Sequence, residues 1–311
     1  MTDSTLPVPD AAQLVAGSTD GGRRLDEFLA STLAIGRRAA TRLAPRVRVN
    51  GRRASKGQRL HAGDVVELPA EENDRALADD APLEIIRATD QVLVLAKPSG
   101  LPSVSLRGSN DDTLAARIAR QFPECAALGR PGEAGLVHRL DTGTSGILLA
   151  ARGDDAYAAL RAQFRAHEVE KEYLALVAGR ITAPLRIATP IGQHHNTQRR
   201  MRALGTEPPP HRYTAHPAET EVTVARAFAD ATLVRARTTT GVRHQIRVHL
   251  ASIGYPLLDD PLYGDASSAT GHGFLLHASR IRWRDPATGE RISDELALPA
   301  AWQPILDQLA A

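Results

Sequence analysis

Asp141 stands where a carboxylate could do chemistry. Gly135-Leu136-Val137-His138-Arg139-Leu140 leads into it as an apolar, strand-like run, and Ile147-Leu148-Leu149-Ala150 leads out. The polar loop between them holds Gly143 and Gly146, which give the backbone conformational freedom. A carboxylate in such a loop sits at the rim of a core, a suitable place for a reactive group. On spacing alone, an Asp that caps a turn before Thr and Gly is the simpler reading. Tyr173, between apolar neighbours in a strand-like run, reads in isolation as core, and Arg247 as an ion-pair partner for any carboxylate. His138, His244 and His249 read as hydrogen-bonding residues that orient loops. His194-His195 beside Asn196, with His211 and His216, match no standard zinc spacing, so no metal is expected. Cys125 is the only cysteine, which excludes an internal disulfide and a cysteine-based zinc site. No phosphate-cradling or dinucleotide-binding glycine fingerprint is present.

The elements that must hold these groups follow from periodicity. Leu25, Phe28, Leu29 and Leu33 recur at helical spacing. A second short helix is expected over Arg37–Leu43, ending before Pro45. The alternating run from Arg46 to Arg52 enters an Asn50-Gly51 turn, and Val65–Leu68 makes a further strand. Residues 1–20 are expected to be a flexible tail, 21–69 a small α/β module, 70–82 an acidic linker, and 83–311 the main domain. In the main domain, strands are expected at Leu83–Arg87, Gln91–Ala96, Tyr173–Val177, Thr220–Arg226, Thr232–Thr238 and Phe274–Trp283. Helices are expected near Thr113–Gln121 and Asp154–His167. Strands outnumber helices without regular βαβ alternation, so the expected class is α+β around a largely antiparallel or mixed sheet.

Of 311 residues, 42% are hydrophobic and 24% charged, as in a globular protein. No apolar run reaches the ~18 residues a membrane span needs. The acidic N-terminus has no signal-peptide pattern, so a cytoplasmic location is expected. The formal charge is +2, yet residues 21–60 carry ten arginines and Lys56 against Asp26 and Glu27, a net +9. That local excess favours a polyanionic partner. Arg199, Arg200 and Arg202 in the segment 192–202 form a second candidate phosphate-contacting loop.

Several motifs recur in a fixed order. His138-Arg139-Leu140-Asp141 followed by Thr144-Ser145-Gly146 resembles the signature of the RluA family of pseudouridine synthases. Lys97-Pro98-Ser99-Gly100-Leu101, Lys171-Glu172-Tyr173-Leu174-Ala175-Leu176-Val177, Ala218-Glu219-Thr220, His244-Gln245-Ile246-Arg247, Asp260-Pro261-Leu262-Tyr263-Gly264 and Leu276-His277-Ala278 follow that family's elements. Residues 21–69 are similar to the alpha-L RNA-binding motif. The sequence departs from the family pattern at Val242, where many relatives carry Arg; at Ala96, for Asn; at Asp259, for Gly; and at Gly36-Arg37-Arg38, for a Ser-Arg pair.

The resemblance implies a pseudouridine synthase fold and an enzyme that isomerises uridine to pseudouridine in RNA. Ribosomal RNA of the large subunit is the expected target, and transfer RNA the alternative. The implied catalytic residues are Asp141; Tyr173, which lies against the uracil ring and helps remove the proton from C5; and Arg247 paired with Asp141. Implied substrate or RNA contacts are Arg139, Thr144, His244, Gln245, Ile246, Arg199, Arg200, Arg37, Arg38 and Arg42. The reaction is redox-neutral, so no cofactor is expected; nor is a membrane partner, and a monomer is. Rival readings are a non-catalytic RNA-binding or assembly factor on the same scaffold, and a nucleoside hydrolase or glycosidase that uses the same carboxylate.

Overall fold

The computed structural model describes residues 13–33, 40, 44, 47–55, 57–68, 82–105, 112–193, 200–205, 214–264 and 273–310. The chain divides into two compact units, residues 1–81 with 105–112, and residues 82–104 with 113–311.

In the smaller unit, β1 (Gln13–Val15), α1 (Leu25–Thr32), β2 (Arg48–Val49), β3 (Arg52–Arg53) and β4 (Val65–Glu67) make a helix and an antiparallel sheet of order β1-β4-β2-β3. α1 forms where periodicity predicts it, burying Leu25, Phe28 and Leu29 against Val47, Val49, Leu60 and Val66. Asn50 and Gly51 both take positive φ, 51° and 75°, as a two-residue hairpin turn requires. The Asn50 side chain then donates to Asp64 at 2.8 Å and accepts from the Val65 N–H at 2.9 Å, tying the turn to β4. The expected tail over residues 1–20 is too long. Gln13–Val15 pairs with β4, and Ala16 is buried in the core of this unit. Three residues are too few to show a period, so only their partner strand makes them β. Apart from Ala40, the second helix expected over Arg37–Leu43 lies outside the described residues, as do most of the 70–82 linker and Arg37, Arg38 and Arg42.

The larger unit is built on a nine-stranded mixed sheet. Its strands are β5 (Glu84–Ala88), β6 (Val92–Lys97), β7 (Ser145–Ala151), β8 (Glu170–Ala178), β9 (Leu185–Ile187), β12 (Thr220–Ala227), β13 (Ala231–Thr238), β14 (Leu276–Arg284) and β15 (Arg291–Glu295). A separate hairpin pairs β10 (Ile191–Gln193) with β11 (Met201–Ala203). The order is β5-β6-β7-β14-β8-β13-β12-β9, with β15 on β14; only β7 and β14 run parallel. The helices are α2 (Leu114–Gln121), α3 (Asp154–Arg165), α4 (Gln245–Ser252) and α5 (Gln303–Ala310).

β6 and β7 read as continuous apolar runs because both sheet faces are covered there. Leu93, Leu95, Leu148 and Ala150 join one core with Leu114 and Ile118 of α2 and Ile246 and Leu250 of α4. Val92, Val94, Ile147 and Leu149 join another with Ala156 and Leu160 of α3. α2 starts where Thr113 accepts the Ala116 N–H at 3.1 Å. α4 carries no amphipathic signal, since Gln245, Ile246, Arg247, Val248, His249 and Leu250 are all buried. The first core includes Tyr173, so the groups singled out from sequence share one side of the sheet.

Candidate active site

Asp141 lies in the loop that enters β7. Thr144 N–H closes the turn onto the Asp141 carbonyl oxygen at 3.0 Å. Gly146 takes φ 119° and packs against the Ala278 backbone, where a Cβ has no room. A Cβ on Gly143 would stand 2.8 Å from the Phe274 ring.

The Lys97–Leu101 segment braces this loop. The Lys97 ammonium is buried and donates to the carbonyl oxygens of Pro98, Leu101 and Thr142 at 2.9, 2.7 and 3.1 Å. Gly100 N–H also reaches the Thr142 oxygen, at 2.8 Å, and the Ser99 hydroxyl reaches that of Gly143, at 2.8 Å. Ser103 accepts from Leu140 N–H at 3.1 Å and donates to the Leu140 oxygen at 2.8 Å. Burial lowers Lys97 to about 8, opposed by the nearby charge of Asp141.

Arg247 of α4 joins two carboxylates. Its Nε and Nη2 donate to Asp260 at 2.7 and 2.8 Å, while Nη1 donates to Asp141 Oδ2 at 2.9 Å. The Arg247 and Asp260 side chains are 4% and 0% exposed, Asp141 20%, so one carboxylate is structural in position and the other faces open space. Asp260 Oδ1 also accepts the N–H groups of Leu262 and Tyr263, at 2.9 and 3.2 Å. The guanidinium lies 4.1 Å from the Phe274 ring centroid and 5.2 Å from that of Tyr263. Such a planar, stacked, forked cation is a task for arginine, not lysine.

Tyr173 sits on β8 with Ala236 and Ala278 as its register partners, two small side chains that leave space for the ring. It is 9% exposed, and burial, reinforced by the Asp141 charge, pushes its phenol well above the usual tyrosine value. His244, the residue before α4, takes the left-handed conformation at φ 57°. The Tyr263 hydroxyl accepts Met201 N–H at 2.8 Å and lies 2.8 Å from His244 Nδ1. With the phenol proton directed at Nδ1, the imidazole N–H falls on Nε2, 3.7 Å from Asp141 Oδ2. Burial lowers His244 to about 4, so the ring is neutral at pH 7.

Asp141, Tyr173, Arg247, Arg139, Thr144, His244, Gln245 and Ile246 all line one pocket of about 420 Å³. The structure therefore brings together most residues expected to act together. Their engagement differs. Arg139 is exposed, whereas Thr144 and Ile246 are buried. Gln245 has its amide occupied by the protein: Nε2 donates toward Glu219 O, Thr220 and Thr238, and Oε1 accepts from Thr240 and Val242 N–H. It shapes the 238–245 loop, which leaves little of it for RNA. Val242 packs among Ile191, Met201, Ala218 and Val248, while Arg243 lines the pocket, so a guanidinium stands one residue after the expected position. Arg200 lies 5.4 Å from the Tyr263 ring centroid. Arg199, His194, His195 and His211 lie outside the described residues; among those described, no group of His, Cys, Asp and Glu could hold a metal ion. No helix among them is long and apolar enough to cross a membrane. Sequence reasoning assigned no role to Asp260, Tyr263 or Phe274; the recurring Asp-Pro-Leu-Tyr-Gly element was the only signal for the first two.

Comparison with known proteins accounts for this arrangement. Residues 91–252 match the family described as RNA pseudouridylate synthase. The chain is 32% identical to ribosomal large subunit pseudouridine synthase D of Vibrio parahaemolyticus, over 89% of this chain and 88% of that protein. It is 33% identical to the protein of the same name in Pseudomonas aeruginosa, over 90% and 89%. The structure of human RNA pseudouridylate synthase domain containing 1 aligns with a TM-score of 0.59 at 26% identity, over 73% of this chain and 87% of that one. The chain belongs to the RNA pseudouridylate synthase family, and is an isomerase that turns uridine in RNA into pseudouridine.

Proposed function

We propose that this enzyme modifies uridine in ribosomal RNA of the large subunit, with Asp141 as nucleophile and Arg247 and Tyr173 as its partners. The target class rests on the names of relatives that align along most of both chains. The carrying observation for the residues is the 2.9 Å pair between Asp141 and Arg247 on the wall of the pocket that also holds Tyr173.

In the reaction the bond from ribose C1′ to N1 breaks, the base turns over, and a bond from C1′ to C5 forms. The C5 proton leaves and N1 regains one, so atoms balance without a cofactor. Breaking the glycosidic bond builds positive charge on the sugar, which the Asp141 carboxylate stabilises or traps covalently. Arg247, itself anchored by Asp260, orients that carboxylate. The raised Tyr173 phenol stays protonated and serves as a ring against which uracil lies, instead of as a phenolate base. Asp141 is the only carboxylate on the pocket wall among the described residues and is therefore the acceptor for the C5 proton once C1′ is released. The base must first leave its stack, at a cost of about a few kcal/mol. Phosphate contacts from the arginine-rich small unit offset part of that cost. The enzyme acts where ribosomal RNA is, in the cytoplasm, and as a monomer, with Asp141, Tyr173 and Arg247 of one chain on one pocket wall.

The test is tritium release from RNA carrying [5-³H]uridine, with Asp141→Asn and Asp141→Ala. Both should abolish release while RNA affinity is kept; retained release removes Asp141 from its role. Free uracil among the products would indicate hydrolysis instead, and pseudouridine found in transfer RNA alone would reassign the target.

A further inference from the structure

Lys171 precedes Tyr173 by two residues on β8, so both side chains point to the same face, and both line the pocket. Lys171 is 6% exposed. Its ammonium donates to the Thr240 carbonyl oxygen at 2.6 Å and lies 5.8 Å from the Phe164 ring centroid. No carboxylate pairs with it among the described residues, and two of its three protons have no acceptor there. The other buried cations of the site differ: Lys97 holds three carbonyl oxygens and Arg247 two carboxylates. His138 offers no compensation, since its Nε2 accepts Leu149 N–H at 3.0 Å and burial lowers it to about 3.

The pocket that Lys171 lines carries further cations. Arg161, whose Nη1 holds the Val137 oxygen at 2.9 Å, Arg165, Arg139 and Arg243 line the same pocket, and the one carboxylate there among the described residues, Asp141, is already paired with Arg247. A buried charge without a counter-ion is costly, and a recess of one sign concentrates ligands of the other. The missing partner is an anion. We propose that this arm of the pocket is a subsite for a backbone phosphodiester next to the target uridine, with Lys171 as its buried ligand and Arg165 at its exposed rim. The proposal rests on the RNA-modifying reading above and adds which atoms of the RNA are gripped beside the flipped base.

The experiment uses the full-length enzyme and a synthetic stem-loop RNA that it modifies. Affinity is measured from 50 to 200 mM NaCl for the wild type, Lys171→Met and Arg165→Gln. Loss of one phosphate contact should flatten the slope of log affinity against log salt by about 0.7–0.9, so the wild type should lose about threefold more affinity than Lys171→Met over that range. Each linkage flanking the target is then replaced in turn by an uncharged methylphosphonate. One linkage should weaken the wild type and cost Lys171→Met nothing further. Equal slopes, or equal penalties in both proteins at every linkage, overturn the subsite. If Lys171→Met fails to fold, the linkage scan on wild type and on Arg165→Gln decides, and a wild-type scan in which no linkage stands out overturns it. Inhibition by inorganic phosphate at constant ionic strength, without a linkage effect, would mark a plain ion site and also overturn it. Tritium release by Asp141→Asn on the same RNA reports separately on the underlying reading: persistence defeats that reading, while its loss with unchanged slopes defeats only the subsite.

Discussion

Asp260→Asn separates what holds the site from what reacts in it. The Asn carbonyl can keep the bonds that Oδ1 makes to Leu262 N–H, Tyr263 N–H and Arg247 Nη2. Its amide nitrogen then replaces Oδ2, which accepts from Arg247 Nε at 2.7 Å, and sets donor against donor. The Asp260 side chain is fully buried and Arg247 nearly so, and breaking such a pair from one side costs about 3–5 kcal/mol. For a unit of this size that is about 6–20 °C in melting temperature. The guanidinium keeps its charge and has Asp141 left to seek, so the proposed nucleophile is drawn toward it. A displacement of that kind costs on the order of 100-fold in rate. Asp141→Asn should show the opposite signature. Arg247 retains both bonds to Asp260, so stability should fall by no more than about 1 kcal/mol while turnover disappears. Thermal melts and tritium release on the two variants check both halves. Equal destabilisation by the two substitutions, or an Asp260→Asn enzyme with wild-type melting and turnover, would refute the division of labour between the two carboxylates.

Gly143→Ala places a methyl against the Phe274 ring that lies on Arg247, and should lower kcat by tenfold or more with a smaller change in melting temperature; unchanged kcat would show that the ring yields freely. Tyr173→Phe keeps the stacking surface, and because the phenol stays protonated it should retain more activity than Tyr173→Ala; equal loss in both would give the hydroxyl a chemical role. Lys97 and Lys171 each lie at about 8, below the usual lysine value. Their charges are present below pH 8 and lost above it, so RNA affinity should weaken as pH rises through 8, less so in Lys171→Met. By linkage the same two groups make the folded state gain stability from about pH 8 up to their ordinary value near 10.5, because the unfolded chain there binds more protons. A pH titration of affinity and of urea midpoints reads both signs. Removing residues 1–81 should weaken RNA binding at moderate salt more than it slows turnover of a saturating short substrate; equal binding would deny the small unit its role.

That Asp141, Tyr173 and Arg247 share one pocket was legible because local motifs surround each of them. Asp260 was not, because what defines it is a partner 13 residues away whose approach depends on how the chain turns between α4 and Tyr263. The motif makes Gln245 an expected RNA contact, yet its neighbours Glu219, Thr220 and Thr238 come from two other strands or their edges and consume its amide. α4 escaped periodicity because polar and apolar residues alike are buried in it. Lys171 stood in the sequence only as the first residue of a motif; the absence of a counter-charge around it among the described residues, a three-dimensional fact, sets it apart.

The Lys97 ammonium, with its three carbonyl oxygens, welds two loops into one body at the end of β6. The amide protons of Gly100 and Thr144 should consequently exchange with solvent only when the whole larger unit opens. An enzyme so set offers a fixed mould, and the adjustment on encounter falls to the nucleic acid. Selection among uridines then follows how readily each stretch of RNA can be bent into that mould.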